Sequence, residues 1–579
     1  MADPTVAHSK KRRRSPVTEL FLFCCLVDSS TPVPEYSTDL EGVPAHKLDL
    51  FKVSIPGTSN LVQELKYVLR LRRPLHPIAK LYTIYPAEPP DDIIHIAVRL
   101  PGQAVASSPT QDRVVKSAAQ RSRPSEDAIN SHLLKTQKKD RADAVYNYRP
   151  LFLGGPPITI YHPVFSEFAQ AMSVSTDTLE FTIDELEKAK LLMKVSCDRY
   201  EDVHARRGDL HDILVGFQSN CSVHYSNAQK SSFYFPDGMK VVNCDGIKTC
   251  PAFQEIKNEI GMGGSDPMDQ CECDYVKSVT SNEYAPIRNA SCCPCILIGI
   301  AGPNLSINGA VFTESQLVSQ RLCDNVYLGP VVEINGSLTH TMRGIRRIAQ
   351  FVRAYGSAVD KLYTFYKELK LEPIGQVRPP HFDRYMVGQD NFQIIYIERL
   401  CPESAAKAVF KATVMNVASE ETCTVVVKFA FSYDKQAHEL LASHGLSPAL
   451  KYCERVASVG NLFVVIMEWV SGIPFLQYAH ATMIPTLRTA VKMLHNSGRV
   501  FGDLRAPNVL VETDEETQVT SLKLLDFDWC GYEGSARYPE FTNMDPDLNW
   551  HPDTRPFGLI AKAHDVHMFK KLTGMELDK

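Results

Sequence analysis

Two carboxylates, a lysine and a glutamine follow one another in residues 241–275, VVNCDGIKTCPAFQEIKNEIGMGGSDPMDQCECDY. Asp245 stands ten positions before Glu255-Ile256-Lys257, and Gln270 and Tyr275 come after. Carboxylates in that order can hold divalent metal ions, which activate water and shield the charge of a phosphate. The lysine can neutralise charge developing at phosphorus or position the attacking water. Because the side-chain period of a strand is two, Glu-x-Lys sets both groups on one face. The chemistry this order points to is metal-dependent cleavage of a phosphodiester.

The elements needed to hold such a site can be read nearby. A short strand at 239–244 ends at Asp245, and a second covers 253–257. Gly261, Gly263 and Gly264 make the chain leave that strand sharply, and 266–275 opens a helix carrying Gln270. Helical patterns at 164–172 and 183–195 precede these elements, and strands at 295–301 and 310–313 follow. That order suits a restriction-endonuclease-like α/β core. EIKNEIGMGGSDPMDQ resembles the PD-(D/E)xK nuclease domains of fungal Crinkler-type proteins. Gln270 with Tyr275 is similar to the Gln-x-x-x-Tyr motif of exonuclease branches, one residue longer here. The resemblance implies Asp245 and Glu255 as ligands of Mg²⁺ or Mn²⁺, Lys257 as the catalytic lysine, and Gln270 in contact with substrate or with that lysine. It also implies a further glutamate from the first helix. Glu201 and Glu167 are the candidates, and Glu201 is preferred because Arg206 and Arg207 beside it could meet phosphates. DNA would be the partner. The alternative is a pair of exposed strands with ordinary surface charges.

A second constellation is VFGDLRAPNVLV at 500–511, followed by KLLDFDWCG at 523–531. It resembles the catalytic and metal-binding loops of protein kinases. The resemblance implies Asp503 as acceptor of the substrate hydroxyl proton, Arg505 in place of the lysine at the γ-phosphate, and Asn508 and Asp526 on Mg²⁺. Upstream, TVVVKFA at 424–430 looks like the strand bearing the phosphate-gripping Lys428, with Glu439 eleven residues later on a helix to pair with it. VVIMEW at 464–469 reads as the strand entering the hinge, placing Glu468 and Trp469 near the adenine of ATP. Asp565 looks like the buried aspartate of a later helix. There are departures. Phe501-Gly502 replaces His-Arg, Asp528 replaces the glycine of Asp-Phe-Gly, and the loop CPESAAKA between the presumed first two strands has no glycine. A glycine-rich loop lets backbone amides approach phosphates, so either phosphotransfer or a purely binding role is compatible with the motif. Gly-Asp-Leu-Arg with Asp-Phe-Asp looks like the abbreviated kinase-like domains of basidiomycete fungi.

The 579 residues suggest three or four domains. A net charge of −5 confines any nucleic-acid surface to a local patch. No run approaches the ~18 apolar residues of a membrane span. The 16 cysteines include the adjacent pairs Cys24-Cys25 and Cys292-Cys293, which suit reduced thiols better than a disulfide framework. A zinc site from Cys244, Cys250, Cys271, Cys273, Cys292, Cys293 and Cys295 is the alternative to burial as small hydrophobes. The basic run KKRRR at 10–14 is of nuclear-import type or a solvated tail. LFLFCCLV at 20–27 reads as a buried strand rather than a signal peptide. ELFLFCCLVD, KLDLFKVSIP, LVQELKYVL and IIHIAVRLP together resemble the ubiquitin-like N-terminal domain of Crinkler effectors. That resemblance implies secretion and delivery to a host cell nucleus. An ordinary ubiquitin-like adaptor is the alternative.

The expectation is a multidomain α+β protein: a Crinkler-type ubiquitin-like domain at 1–101, a disordered linker at 102–149, a nuclease-like domain at 150–371, and an abbreviated bilobal kinase-like domain at 372–579. Three functions compete. The first is a Crinkler-type effector that hydrolyses DNA in a nucleus, of the host or of the producing cell. The second is a kinase acting on host proteins. The third is a non-enzymatic interaction protein.

Overall fold

The computed structural model describes residues 24–26, 49–56, 93–99, 109–216, 222–224, 238–332, 338–375, 377–402, 404–475, 480–513 and 520–578. They fall into two compact units, the second being Arg113–Glu372 with Val377–Lys579. Among the described residues no helix is long and apolar enough to cross a membrane.

In the first unit, β1 (Cys24–Leu26), β2 (Asp49–Pro56) and β3 (Ile93–Arg99) form a sheet in the order β1-β3-β2. β1 runs parallel to β3, and β2 antiparallel to it. β1 lies within the apolar run at 20–27. The basic run at 10–14 lies outside the described residues.

The expected linker at 102–149 is folded over much of its length. It contains α1 (Pro109–Ala118), α2 (Pro124–Asp127), α3 (Asn130–Thr136) and β4 (Val145–Tyr146). Its polar composition hides this because the segment is held largely by charge. Asp143 is fully buried and accepts from Arg121 Nε at 2.7 Å and Ser117 Oγ at 2.5 Å, while Arg121 also reaches Asp127 at 3.0 Å. Burial alone would raise the Asp143 carboxyl, but the Arg121 charge and these hydrogen bonds hold it below its usual value. Only Val114, Ala118 and a few neighbours contribute apolar contact.

The central sheet runs β4-β10-β9-β8-β7-β6-β5. Its strands are β5 (Ser222–His224), β6 (Gly238–Cys244), β7 (Ile247–Lys257), β8 (Cys295–Ala301), β9 (Asn304–Phe312) and β10 (Leu317–Arg321), with β11 (Val326–Tyr327) paired to β9. β7 and β8 are parallel; β6–β7 and β8–β9 are antiparallel hairpins. Alternation along β8 divides the core. Ile296, Ile298 and Ile300 pack with α4 (Pro163–Ser173), α5 (Ile183–Cys197), α6 (Val203–Gly216) and the 29-residue α9 (His340–Glu368). Cys295 and Leu297 face α7 (Pro267–Val279) and α8 (Ala285–Ala290). The first turn of α7 lies so close to β8 that a Cβ on Gly299 would sit 2.9 Å from the Met268 amide. The Cys244, Cys250, Cys271, Cys273, Cys292, Cys293 and Cys295 thiols are free and buried.

After α9 the chain builds a six-stranded sheet in the order β12-β13-β14-β15-β17-β16. The strands are β12 (Arg384–Val387), β13 (Asp390–Arg399), β14 (Ala408–Asn416), β15 (Thr422–Ala430), β16 (Leu450–Val456) and β17 (Leu462–Glu468), and the short α10 (Lys435–Ala442) follows β15. A mixed second portion contains β18 (Ile473–Pro474), α11 (Ile484–Asn496), β19 (Arg499–Val500), the β20–β21 hairpin (Val509–Thr513, Thr520–Leu524), β22 (Gly531–Tyr532) and α12 (Lys562–Thr573).

The boundary expected at 371/372 is not a break in the core. Ile158, Phe165 and Ile348 share one apolar cluster with Phe410, Val459 and Ile466. The turn between β16 and β17 presents three successive carbonyls to the central domain. Gln170 Nε2 donates to Ala457 O at 2.8 Å, Ser166 Oγ to Ser458 O at 2.6 Å, and Thr159 Oγ1 to Val459 O at 2.8 Å. Central sheet and small lobe therefore form one packed body.

Removing one partner of a buried ion cluster costs about 3–5 kcal/mol. Asp143→Ala should lower thermal stability accordingly and open residues 113–149 to limited proteolysis; parental cleavage kinetics would show that the charge cluster does not hold this segment.

Candidate functional site

Lys428 lies on β15, where alternation sends Val425, Val427 and Phe429 into the shared core and Lys428 to the opposite face. Its ammonium is 2.6 Å from Asp526 Oδ1 and 2.6 Å from Asp528 Oδ1. Lys407 Nζ lies 3.6 Å from Asp526 Oδ2. Phe527 points the other way, stacked on His438 at 4.8 Å and edge-on to Phe501 at 5.6 Å. Asp-Phe-Asp thus alternates like a strand, two carboxylates to the cleft and one ring to the core. Burial opposes charge on both carboxylates. At Asp526 the fields of Lys428 and Lys407 win and hold the group below its usual range. At Asp528 burial, reinforced by the charge of Asp526, prevails and pushes the group up.

The loop of Asp503, Arg505 and Asn508 is bonded within itself. Arg505 pairs with Asp503 through Nε and through Nη2 at 2.8 Å, and Asn508 Nδ2 donates to Asp503 Oδ2 at 2.8 Å and to its carbonyl at 2.9 Å. Asn508 O accepts from Leu525 N at 2.8 Å, which ties this loop to the strand leading into Asp526. Asp565 on α12 is buried and accepts from the backbone N–H of Phe501 at 2.7 Å and of Gly502 at 2.8 Å. The unusual Phe-Gly pair fits here for two reasons. Phe501 fills core space beside Phe527, and Gly502 adopts φ 82°, where a Cβ would meet Ile560 at 2.8 Å.

Two expected members of the site stand elsewhere. Glu439 is exposed on α10, a helix of eight residues. The inward position belongs to His438, which is bonded to Tyr433 at 2.7 Å and to Pro448 O at 2.8 Å. The Lys428–Glu439 pair is therefore replaced by Lys428–Asp528. Glu468 turns its carboxylate to the Ala449 amide at 3.3 Å, while Trp469 N bonds Thr424 O and its ring lies 4.1 Å from Lys411 Nζ. Sequence reading marks Asp528 only as a departure and passes over Lys407; a lysine in a loop without glycine is the available signal.

In the central domain, Lys257 Nζ donates to Gln270 Oε1 at 2.6 Å across the β7–α7 gap. Glu255 is on the same face of β7 and buried. Tyr275 is buried and donates to Cys293 O at 2.9 Å. Asp245 does not join them. Asp245 and Gly246, at φ 47° and 87°, are the two-residue turn of the β6–β7 hairpin, with Cys244 opposite Ile247. Asp-Gly is a strong hairpin-turn signal. Eight residues of strand between Ile247 and Glu255, at ~3.3 Å each, separate the turn from Glu255 by roughly 27 Å. Glu201 is exposed before α6, although the carbonyl of its neighbour Tyr200 accepts from Asn258 at 2.8 Å. Arg206 is fully buried on the Ser196 and Gly302 carbonyls rather than facing a phosphate. Glu167 pairs with Lys361 at the surface. Among the described residues no three His, Cys, Asp or Glu side chains converge to hold a metal.

Beside Lys257 opens a cleft of about 690 Å³ lined by Arg149, Asp269, Glu272, Asn308 and Arg321. Glu272 is bonded by Asn147 Nδ2 at 2.6 Å and Asn308 Nδ2 at 3.3 Å, yet burial, with the charge of Asp269 added, pushes it up to about 7. Burial likewise raises Asp269 to about 6, against the pull of Arg149 at 3.2 Å.

The second unit is thus a mixed α/β body. No protein-family model and no curated protein matches the sequence. Among solved structures the chain is similar to the Cydia pomonella granulovirus kinase PK-1, at 15% identity over 32% of this chain and 72% of that one, with a TM-score of 0.24. It is also similar to the BubR1 kinase domain, at 16% identity over 33% and 65% of the two chains, with a TM-score of 0.23.

A carboxyl whose folded pKa is raised binds more protons folded than unfolded, so stability falls as pH rises from the unfolded to the folded value. Glu272 should therefore cost stability between pH ~4.5 and ~7. Glu272→Gln is expected to flatten thermal melting between pH 5 and 8; a slope equal to the parent's would show that Glu272 is charged throughout.

Proposed function

We propose that the cleft between the two lobes binds a nucleoside triphosphate and transfers its terminal phosphoryl group to a hydroxyl. What carries the reading is a chain of bonds, Lys428 to Asp526, Leu525 N to Asn508 O and Asn508 Nδ2 to Asp503, in a loop whose start is held by Asp565. Asp503 accepts the proton of the attacking hydroxyl, Arg505 orients that carboxylate beside the transferring phosphate, and Lys428 grips the polyphosphate. Trp469 borders the base at the hinge. Asp526 and the side-chain amide oxygen of Asn508 offer hard oxygen donors suited to Mg²⁺ or Mn²⁺, and Asp526 already faces the two ammonium groups of Lys428 and Lys407. Such an ion shields the phosphate charge when bound. Incubation of the full chain with γ-labelled ATP and candidate host proteins should transfer label. Asp503→Asn and Asp526→Asn should each lower it by about 100-fold or more while remaining folded. Parental transfer by Asp526→Asn would sink the reading.

A second reading, metal-dependent DNA cleavage by the central domain, is favoured by the Lys257–Gln270 bond on the same face as Glu255. Asp245 is too distant to serve. With Mg²⁺ or Mn²⁺, Lys257→Ala and Glu255→Ala should lose cleavage of linear DNA and Asp245→Ala should retain it. Absence of cleavage by the folded parent removes this reading. The basic run at 10–14 and the Crinkler-type motifs of residues 1–101 support action in a nucleus, of a host or of the producing cell.

A further inference from the structure

The loop over the phosphate side of the cleft is built differently from a glycine-rich one. Side chains throughout CPESAAKA keep its backbone amides from a phosphate's close approach. Near its end, Lys407 instead sends an ammonium group 3.6 Å from Asp526, on the outer side of the site whose inner side Lys428 occupies. The loop is closed by Ser404 N to Cys401 O at 3.0 Å and Lys407 N to Ser404 O at 2.9 Å.

The loop is also fastened from below. Arg399, at the end of β13, has a side chain only 2% exposed. Its Nη2 donates to Ala405 O at 2.5 Å and Lys407 O at 2.9 Å, and its Nε to Lys407 O at 3.3 Å. Its Nη1 crosses to the central domain, to Gln316 Oε1 at 3.0 Å and Glu314 Oε1 at 3.4 Å. Those acceptors sit on the β9–β10 turn, itself fixed by Thr313 N to Gln316 O at 2.9 Å and Gln316 N to Thr313 Oγ1 at 3.0 Å. A planar guanidinium with donors on both edges suits this bridge, which a lysine could not make.

We propose that Lys407 binds the terminal phosphates of the nucleotide in place of a glycine loop's amides, and that the central domain positions it through Gln316, Glu314 and Arg399. The inference rests on the phosphotransfer reading and adds a phosphate ligand together with a requirement for the central domain. Lys407 is half-exposed, so replacing it leaves the core intact. The expected selectivity is for polyphosphate over the bare nucleoside.

Titration calorimetry of the full chain with Mg·ATP and with adenosine tests it. Lys407→Ala should weaken Mg·ATP about tenfold, the effect of one charge-assisted hydrogen bond, and leave adenosine unchanged. Gln316→Ala should weaken Mg·ATP in the same direction by a smaller factor, about threefold. Unaltered Mg·ATP affinity in Lys407→Ala overturns the inference and spares the phosphotransfer reading, as does an equal loss for adenosine. A parent that binds no nucleotide sinks both. Independently of any variant, Mg·ATP should protect Lys407 from acylation and adenosine should not; equal labelling under both conditions counts against the assignment.

Discussion

A charge taken out of water costs several kcal/mol unless protein groups replace the solvent, and Lys428 meets that demand with two carboxylates. Much of the arrangement around Lys428 follows from this requirement. The two aspartates must reach Lys428 from one short loop, so the residue between them must point away, and Phe527 does so into a ring cluster with His438 and Phe501. Asp526 adopts a left-handed backbone at φ 69° where the chain turns. With its counter-charge supplied by the loop, Lys428 needs nothing from α10, and that helix is free to face Glu439 to solvent.

The same rule operates where the polypeptide joins its parts. Asp143 anchors the segment before the central sheet through Arg121, Arg399 joins the small lobe to the β9–β10 turn, and Asp565 holds the loop before Asp503 by two backbone amides. Apolar packing supplies the bulk, as in the cluster shared by Phe165 and Val459. Hydrogen bonds to buried charge fix the register, because a shift of one residue would leave a charge without its partner.

Legibility in the sequence tracks how local each signal is. β15 and Lys428 are readable because TVVVKFA combines β-branched residues with alternation, and the spacing from Asp503 to Asn508 is fixed by a short loop. The Lys257–Gln270 contact is readable because strand, glycine break and helix follow in order. Asp245 misleads because spacing along the chain places a carboxylate near Glu255, whereas Asp245-Gly246 is a turn whose geometry sends it to the far end of β7. Glu439 misses the inward face by one helical position, since which face of so short a helix is buried depends on Tyr433 and Phe527. The segment at 102–149 looks disordered because its core is made of Arg121, Asp127 and Asp143, residue types that composition counts as solvent-loving. Lys407 and Arg399 act through tertiary contacts that no local pattern announces.

The three carbonyls of the β16–β17 turn have a practical consequence. In an intact chain Gln170, Ser166 and Thr159 satisfy Ala457, Ser458 and Val459. A recombinant fragment beginning near residue 372 would strip those donors away and uncover Phe410, Val459 and Ile466 to water, giving a sticky sheet rather than a free-standing domain. The smallest piece suited to expression begins ahead of Pro109 and keeps the central sheet. Domain swaps between related chains should exchange both halves together.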